Sequence, residues 1–360
     1  MTDELRTENQ ERRTAYMSLS LHDVDRRIWL EELDPLVPPR VFDVHSHIYR
    51  WDHNLDPDKE SGPYAKFVGT RWREASRDVL DAVDAALFPG RRVHRLAFPF
   101  PFPQCAFAAA DRFVADQSGG DPQSASLMLA HPGLSDDAAE AELDRGRHLG
   151  FKPYRFYSST GDAAGCRITD FLPERLIALA DRRGLIVMMH LSKRDAIADD
   201  ENQRDLLDFA QRYPRVRWIL AHCARSYSHW PIERAAATLR RLHNAWYDTS
   251  SVCESDAIEA LMNTVGPDRV MYGSDDVPVG VLRGKYVAFG YAWAYLSESN
   301  HSLGLAHCDG RMTFTRYEQL RATARAARRL GLSREQLAAH FYDTAAALTG
   351  GVRRSCDVQG

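Results

Sequence analysis

Eight short apolar runs between Val41 and Asp275, alternating with polar or helix-patterned stretches, restrict the fold of this chain more than any other feature. They are VFDVHSH (41–47), RVHRLAFPF (92–100), ASLMLAHPG (125–133), FKPYRFY (151–157), LIVMMH (185–190), VRWILAH (216–222), AWYDTS (245–250) and RVMYGSD (269–275). Helical patterns fall at 73–87, 135–150, 171–183, 200–212, 231–243 and 254–266. Ser135 is placed to cap the second of these and Gly150 to close it; Gly184 closes the third. Strands alternating with helices argue for an α/β fold with a parallel sheet under covering helices. Eight of them point to a (β/α)8 TIM-type barrel, with a packed interior and its chemistry at the C-terminal strand ends.

The remaining segments decorate this frame. Residues 1–40 read as an N-terminal helical extension, helix-compatible from Leu5 to about Leu33 and broken by Pro35, Pro38 and Pro39. Residues 49–92 and 277–312 read as loop insertions, the second irregular and rich in Tyr, Trp, Gly and His. A helical tail covers roughly 315–349, so the barrel domain is expected over 41–349, with 350–360 as a C-terminal tail. The net charge of −4, with both signs interspersed, argues against a nucleic-acid partner. There is no run long and apolar enough for a membrane span, and the N-terminal MTDELRTENQERR has no apolar signal region. The six cysteines show no tight pairing and read as free thiols, so a cytoplasmic location is expected.

The strand ends carry the chemistry. The first closes on His45-Ser46-His47, and residues two apart on a strand share a face, so both imidazoles can reach one ion. His190, His222 and Asp275 close later runs. Singly, each is most simply a satisfied polar residue at a strand end. Together, His45, His47, His190 and Asp275 form a ligand set suited to one divalent ion, Zn²⁺ first and Mn²⁺ second. Asp275 and His222 are then the candidate catalytic groups, handling the proton of a water acidified by the ion.

These motifs resemble a known family. FDVHSH, VMMHLSK, ILAHCAR and VMYGSDDVP are similar to the strand 1, 5, 6 and 8 signatures of the amidohydrolase superfamily. The similarity points to the branch that includes aminocarboxymuconate-semialdehyde decarboxylase and pyrone dicarboxylate lactonase, and it spans about 41–349. The resemblance implies the same roles: His45, His47 and His190 as ligands, Asp275 as the strand 8 carboxylate, and His222 acting on water or substrate. It also suggests a homodimer. Many binuclear members carry a carbamylated lysine at the end of strand 4. Here Lys152 is expected to sit too early to reach the mouth, and Arg155 cannot be carbamylated in that way, so one metal is expected.

Around the ion, Arg155 and Tyr157 are expected on one face of the fourth strand, with Lys193 and Arg225 just beyond the strand ends, as a substrate-binding set for a small anionic molecule. Aromatic residues such as Trp51, Phe100, Trp230 and Tyr291 are candidates for a lid, and Cys223 is read as structural. The expected activity is hydrolysis of a lactone, ester or amide. The alternative is non-oxidative decarboxylation of an aromatic or unsaturated acid, and a third reading is a silent barrel used for binding.

Overall fold

The structure, a computed structural model, describes residues 19–58, 68–298, 300–301 and 304–359. Its frame is an α/β arrangement of two parallel sheets. In the first, β1 (Arg40–His47) pairs with β2 (Arg92–Phe98) and β2 with β3 (Ala125–Ser126). In the second, β4 (Met128–Ala130), β5 (Gly150–Pro153), β6 (Ile186–Met189), β7 (Arg217–Leu220), β8 (Ala245–Asp248) and β9 (Val270–Met271) pair in chain order. Leu127 alone separates β3 from β4, and its N–H donates to the Ala97 carbonyl at 2.9 Å. At the other edge the Val44 N–H donates to Tyr272 (3.1 Å) and the Asp275 N–H to His45 (2.8 Å), with a parallel bridge between Ser46 and Asp276. Every pairing in these two sheets is parallel, so the C-terminal strand ends share one side.

Strands buried on both faces should read as continuous apolar runs. The β6 sequence IVMM is buried throughout, and β1 is buried from Val41 to His47. Each of the eight apolar runs contributes a strand, usually shorter than its run. The fourth departs most. Pro153 has no N–H for a ladder, β5 ends there, and Arg155–Tyr157 form one turn of 3-10 helix. Arg155 and Tyr157 therefore do not share a strand face.

The covering helices follow the expected order: Arg77–Leu87, Asp136–Gly146, Glu174–Arg183, Asp200–Arg212, the pair His229–Arg234 and Ala236–Arg241, and Ser255–Val265. Phe107–Ser118 is an additional helix that the sequence reading left unassigned. Ser135 caps its helix, accepting the Ala138 N–H at 3.2 Å. That helix closes at Arg147, φ 50°, rather than at Gly150. Gly150 instead opens β5 at φ 149°, where a Cβ would strike the Ile186 carbonyl. The insertion after β9 is not wholly irregular: β10 (Gly284–Phe289) and β11 (Ala292–Ser297) form an antiparallel hairpin. Of the N-terminal extension, Asp23–Ile28 and a π-helical turn at Trp29–Leu33 are helical; the expected helix before residue 19 lies outside the described residues. The last helix, Thr344–Gln359, runs on through the expected tail. No helix among the described residues is long and apolar enough to cross a membrane.

One buried charge network ties the frame together beside the β1–β9 edge. Arg316, from helix Thr315–Leu330, is 1% exposed. It pairs with Asp84 of helix Arg77–Leu87 at 2.6 Å and with Asp276. Asp84 also pairs with Arg95 of β2.

Candidate metal centre

Asp275 gathers the first-strand histidines. Its Oδ1 lies 3.2 Å from His47 Nε2 and 3.4 Å from His45 Nε2. Its Oδ2 accepts the Ser251 hydroxyl at 2.6 Å. The strand alternation thus does bring both imidazoles to one side. Asp43 holds this arrangement from within. Its carboxylate accepts the His45 N–H (3.0 Å), the Ser46 hydroxyl (2.7 Å), and the N–H and hydroxyl of Ser274 (2.8 and 2.5 Å).

The other face of His45 meets Asp248, which the sequence reading missed. His45 Nδ1 is 3.0 Å from Asp248 Oδ2 and 3.1 Å from the Ser250 hydroxyl. With Nδ1 engaged by a carboxylate, Nε2 is presented toward His47 and Asp275, the usual way a protein orients a metal-bound imidazole. Asp248 ends β8 in AWYDTS, so the strand-end rule that found Asp275 would have found it too.

His222 follows β7 on an unusual backbone. His222, Cys223, Ala224 and Arg225 have φ of 57°, 51°, 57° and 59°, a left-handed run without glycine. The His222 N–H donates to Asp248 Oδ1 (3.0 Å) and its Nδ1 lies 2.9 Å from the Ser250 hydroxyl. Its ring sits 4.8 Å from His45 and 5.2 Å from His190. His190 belongs to neither of the two tight clusters, His45–His47–Asp275 and His45–His222–Asp248, in which all donor atoms lie within 4.8 Å of one another. The Nδ1 of His190 is buried and without a partner.

Lys152 and Tyr154 also reach the site, contrary to expectation. Lys152 is fully buried, its Nζ 4.5 Å from the Phe98 ring centroid and 5.1 Å from that of Tyr154. Phe98 packs its ring 4.9 Å from His45 and 5.0 Å from His47, and Tyr154 packs 6.5 Å from His190. Lys152 and Tyr154, two apart on extended backbone, are the pair that faces the centre, whereas Arg155 and Tyr157 lie on the 3-10 turn beyond Pro153. Tyr157 instead donates to the Phe102 carbonyl at 2.9 Å.

The charges respond to this crowding. Burial raises the Asp275 carboxyl, but the His47 hydrogen bond and the charges of His45, His222 and His47 outweigh it, leaving it well below the usual range. Asp248 is held low in the same way by His45, His222 and Ser250. Burial, then the nearby Lys152 charge, pushes His45 down to about 4. Burial pushes the Lys152 ammonium down to about 8 against the pull of Asp248 and Asp275. A neutral His45 imidazole beside ionised carboxylates is the combination that metal ligation requires.

Beside the centre lies a cleft of about 1190 Å³, lined by Arg155, Lys193, Arg194, Arg225 and Arg234, by Trp230, and by Phe289, Tyr291 and Trp293 of the hairpin. Tyr227 links the cleft residue Trp293 to the centre: its ring is stacked 6.2 Å from His222 and tilted 4.3 Å from Trp293. Lys193 is occupied: its ammonium meets Glu201 and the Gly165 carbonyl, each at 2.6 Å. Arg155 and Arg225 bond only backbone carbonyls, and among the described residues neither has a carboxylate partner. Burial and the neighbouring Arg155 push Arg225 down to about 10.

Two imidazoles and a carboxylate converging on one point are the donor set a divalent ion takes. The amidohydrolase family model matches residues 42–350. The chain belongs to the amidohydrolase family. Similar solved structures include an amidohydrolase from Burkholderia multivorans with bound zinc (16% identity, TM-score 0.54, covering 86% of this chain and 99% of that one). Others are a 4-oxalomesaconate hydratase from Rhodopseudomonas palustris (14%, 0.54, 89% and 98%) and a dihydroxybenzoic acid decarboxylase from a Polaromonas species with manganese and 2-nitroresorcinol (13%, 0.55, 87% and 97%). At these identities the likeness is one of fold. No curated protein matches the sequence. This amidohydrolase is thus a metal-dependent enzyme for a small organic substrate, with a buried candidate site for a divalent ion.

Proposed function

We propose that this amidohydrolase is a hydrolase of a small anionic lactone, ester or amide, with His45, His47, His190 and Asp275 as its metal ligands. The observation that carries this is that His45 Nε2 and His47 Nε2 both lie within 3.4 Å of Asp275 Oδ1, with the His222 ring next to His45. We read the ion as Zn²⁺, with Mn²⁺ second, because three imidazoles and a carboxylate form a borderline set that takes either. The bonds joining β1 to the end of β9 support reading the two sheets as one (β/α)8 ring over residues 41–349.

When bound, the ion would polarise the substrate carbonyl and lower the pKa of water at the site. The protein's own groups do the rest. Asp248 and Ser250 fix the His45 ring, and Ser251 fixes the free oxygen of Asp275. His222 takes the water proton and returns it to the leaving group, its Nδ1 side held by Ser250 so that the opposite nitrogen faces the site. Arg155 and Arg225 are half-buried cations without a carboxylate, an arrangement that costs free energy until an anion arrives. That supports an acidic group on the substrate.

The test is direct. Zinc-loaded protein is offered carboxylate-bearing aryl lactones and esters, and separately hydroxybenzoates, with released acid and CO₂ both measured. His45→Ala and Asp275→Asn should lose most activity together with bound metal, whereas His222→Ala should lose activity and keep most of the metal. Activity in all three variants near that of the wild type, or CO₂ as the product, would overturn the hydrolase reading.

A further inference from the structure

Buried polar atoms without partners are rare in folded proteins, and each one asks what it is for. Two of them enter this site from one short segment: Lys152 Nζ and Tyr154 Oη are both shielded from solvent and neither has a hydrogen-bond partner. Lys152 lies in β5, and Tyr154 continues the extended backbone at φ −129°, ψ 134°. Residues two apart on extended chain point the same way. Their neighbours confirm the direction. Phe98, His45, His222, His190, Tyr154 and Lys152 form a closed circuit in which each touches the next. The circuit runs through His45 and His190, two of the proposed metal ligands, so Lys152 and Tyr154 lie next to them.

We propose that Lys152 and Tyr154 are catalytic residues that together form an oxyanion pocket in the floor of the site. This rests on the hydrolase reading. As the water oxygen bonds to the substrate carbonyl carbon, the π pair of the C=O moves onto its oxygen, and His222 takes the water proton. The new oxyanion accepts hydrogen bonds from the Lys152 amine and the Tyr154 phenol. When the pair returns, the bond to the leaving oxygen or nitrogen breaks and that atom takes the proton from His222. The amine is a donor whether charged or neutral, and the phenol is a donor throughout. Donors placed in advance where charge develops, in a water-excluded site, are worth most to the rate.

The experiment compares zinc-loaded wild type with Lys152→Met and Tyr154→Phe, which remove the polar atom and nearly keep the volume. Methylphosphonate, a stable tetrahedral oxyanion, is titrated into each by calorimetry; metal content and urea midpoint are measured alongside. Each variant should bind methylphosphonate about tenfold or more weakly with zinc content unchanged. kcat should fall about 10²–10³-fold with KM little altered, as when an oxyanion donor is removed. The urea midpoint should hold or rise, since an orphaned buried group is being deleted; a merely structural role predicts a fall. The pocket stands if methylphosphonate binding depends on both residues even when no ester or lactone is hydrolysed, in which case only the hydrolase reading fails. It is overturned if methylphosphonate does not bind the wild type, if both variants bind it equally well, or if Lys152 takes up ¹³C-bicarbonate as a carbamate and its loss removes a metal equivalent.

Discussion

The carboxylate of Asp248 holds two histidines at once, one by its ring and one by its backbone. Oδ2 faces His45 Nδ1 at 3.0 Å while Oδ1 takes the His222 N–H at 3.0 Å. Asn at this position keeps the shape but offers only one oxygen and adds an NH₂ that must go unpaired or displace Ser250. Loss of such an outer partner typically weakens metal affinity 10–100-fold. Asp248→Asn should therefore fall in that range by competition with a chromophoric chelator, with the fold intact by circular dichroism; unchanged affinity would remove Asp248 from the ligand scaffold. At this scale much was legible. His45, His47 and Asp275 converge because a strand end is read from an apolar run, and period-two alternation then fixes the side. Lys152 and Tyr154 were not legible because the same rule was applied to a strand thought to reach Tyr157. Pro153, which has no N–H for a ladder, and the 3-10 turn after it end the alternation earlier, so the proline in FKPYRFY is the one signal that the strand stops short of Arg155.

Among the elements, the connections at the two ends of the sheets contrast. At the C-terminal side, left-handed residues without glycine stand at Lys193, His222–Arg225, Ser251 and Asp275. Each costs on the order of 1–2 kcal/mol, and such strain gathers where side chains must be aimed. The Asp248 hydrogen bond to the His222 N–H and the Ser226 N–H to the His222 carbonyl (2.8 Å) offset part of it. Arg147 is left-handed too, but it ends a helix far from any proposed ligand in the sequence, and its side chain is exposed. Glycine is the favoured residue at that closing position. Arg147→Gly should raise stability by about 1 kcal/mol with activity unchanged, read as a higher urea midpoint; a drop would mean the guanidinium has a role of its own. Arg316 gives the opposite expectation. Arg316→Met leaves Asp84 and Asp276 buried without their shared cation, a loss of about 3–5 kcal/mol. Because the Asp276 carbonyl also accepts the His47 N–H, that variant should bind zinc more weakly as well, measurable by equilibrium dialysis. The hairpin Gly284–Ser297 was hidden in the sequence because apolar residues stand on both faces of its strands: β10 buries Gly284 and Tyr286 but leaves Val287 and Phe289 more open, so KYVAF and AWAYL show no polar–apolar alternation. Its Phe289, Tyr291 and Trp293 line the cleft, and its Tyr286 and Trp293 pack against Tyr227 with ring centroids 4.7 and 4.3 Å apart.

For the molecule as a whole, catalytic demands and stability divide between the two sides of the sheets. The arginines without a carboxylate and most of the left-handed turns lie at the C-terminal strand ends, whereas buried histidines with lowered pKa stand elsewhere as well. His148, just before β5, is 2% exposed, lies 2.8 Å from the Ser126 hydroxyl through Nδ1, and is pushed by burial down to about 4. An unfolded histidine titrates near 6.5. The folded value is the lower one, so the unfolded chain binds the extra proton between pH 6.5 and 4, and stability falls as pH falls through that window. Above 6.5 the contribution is fully present. Asp111 and Asp43 act the other way, because burial raises both carboxyls and favours the fold while they stay protonated. The raw stability curve therefore mixes the two signs, and a difference between proteins is needed to separate them. His148→Gln keeps a hydrogen-bonding partner for Ser126 and cannot titrate. The stability of the wild type minus that of His148→Gln should grow as pH rises from 4 to 6.5, by up to about 3 kcal/mol at about 1.4 kcal/mol per pH unit, and stay level above it. Urea unfolding of both proteins across pH 4–8 measures that difference. A flat line across the window would mean that His148 is already accessible to protons in the folded chain, and that other buried groups such as His340, also pushed by burial down to about 4, carry the acid sensitivity.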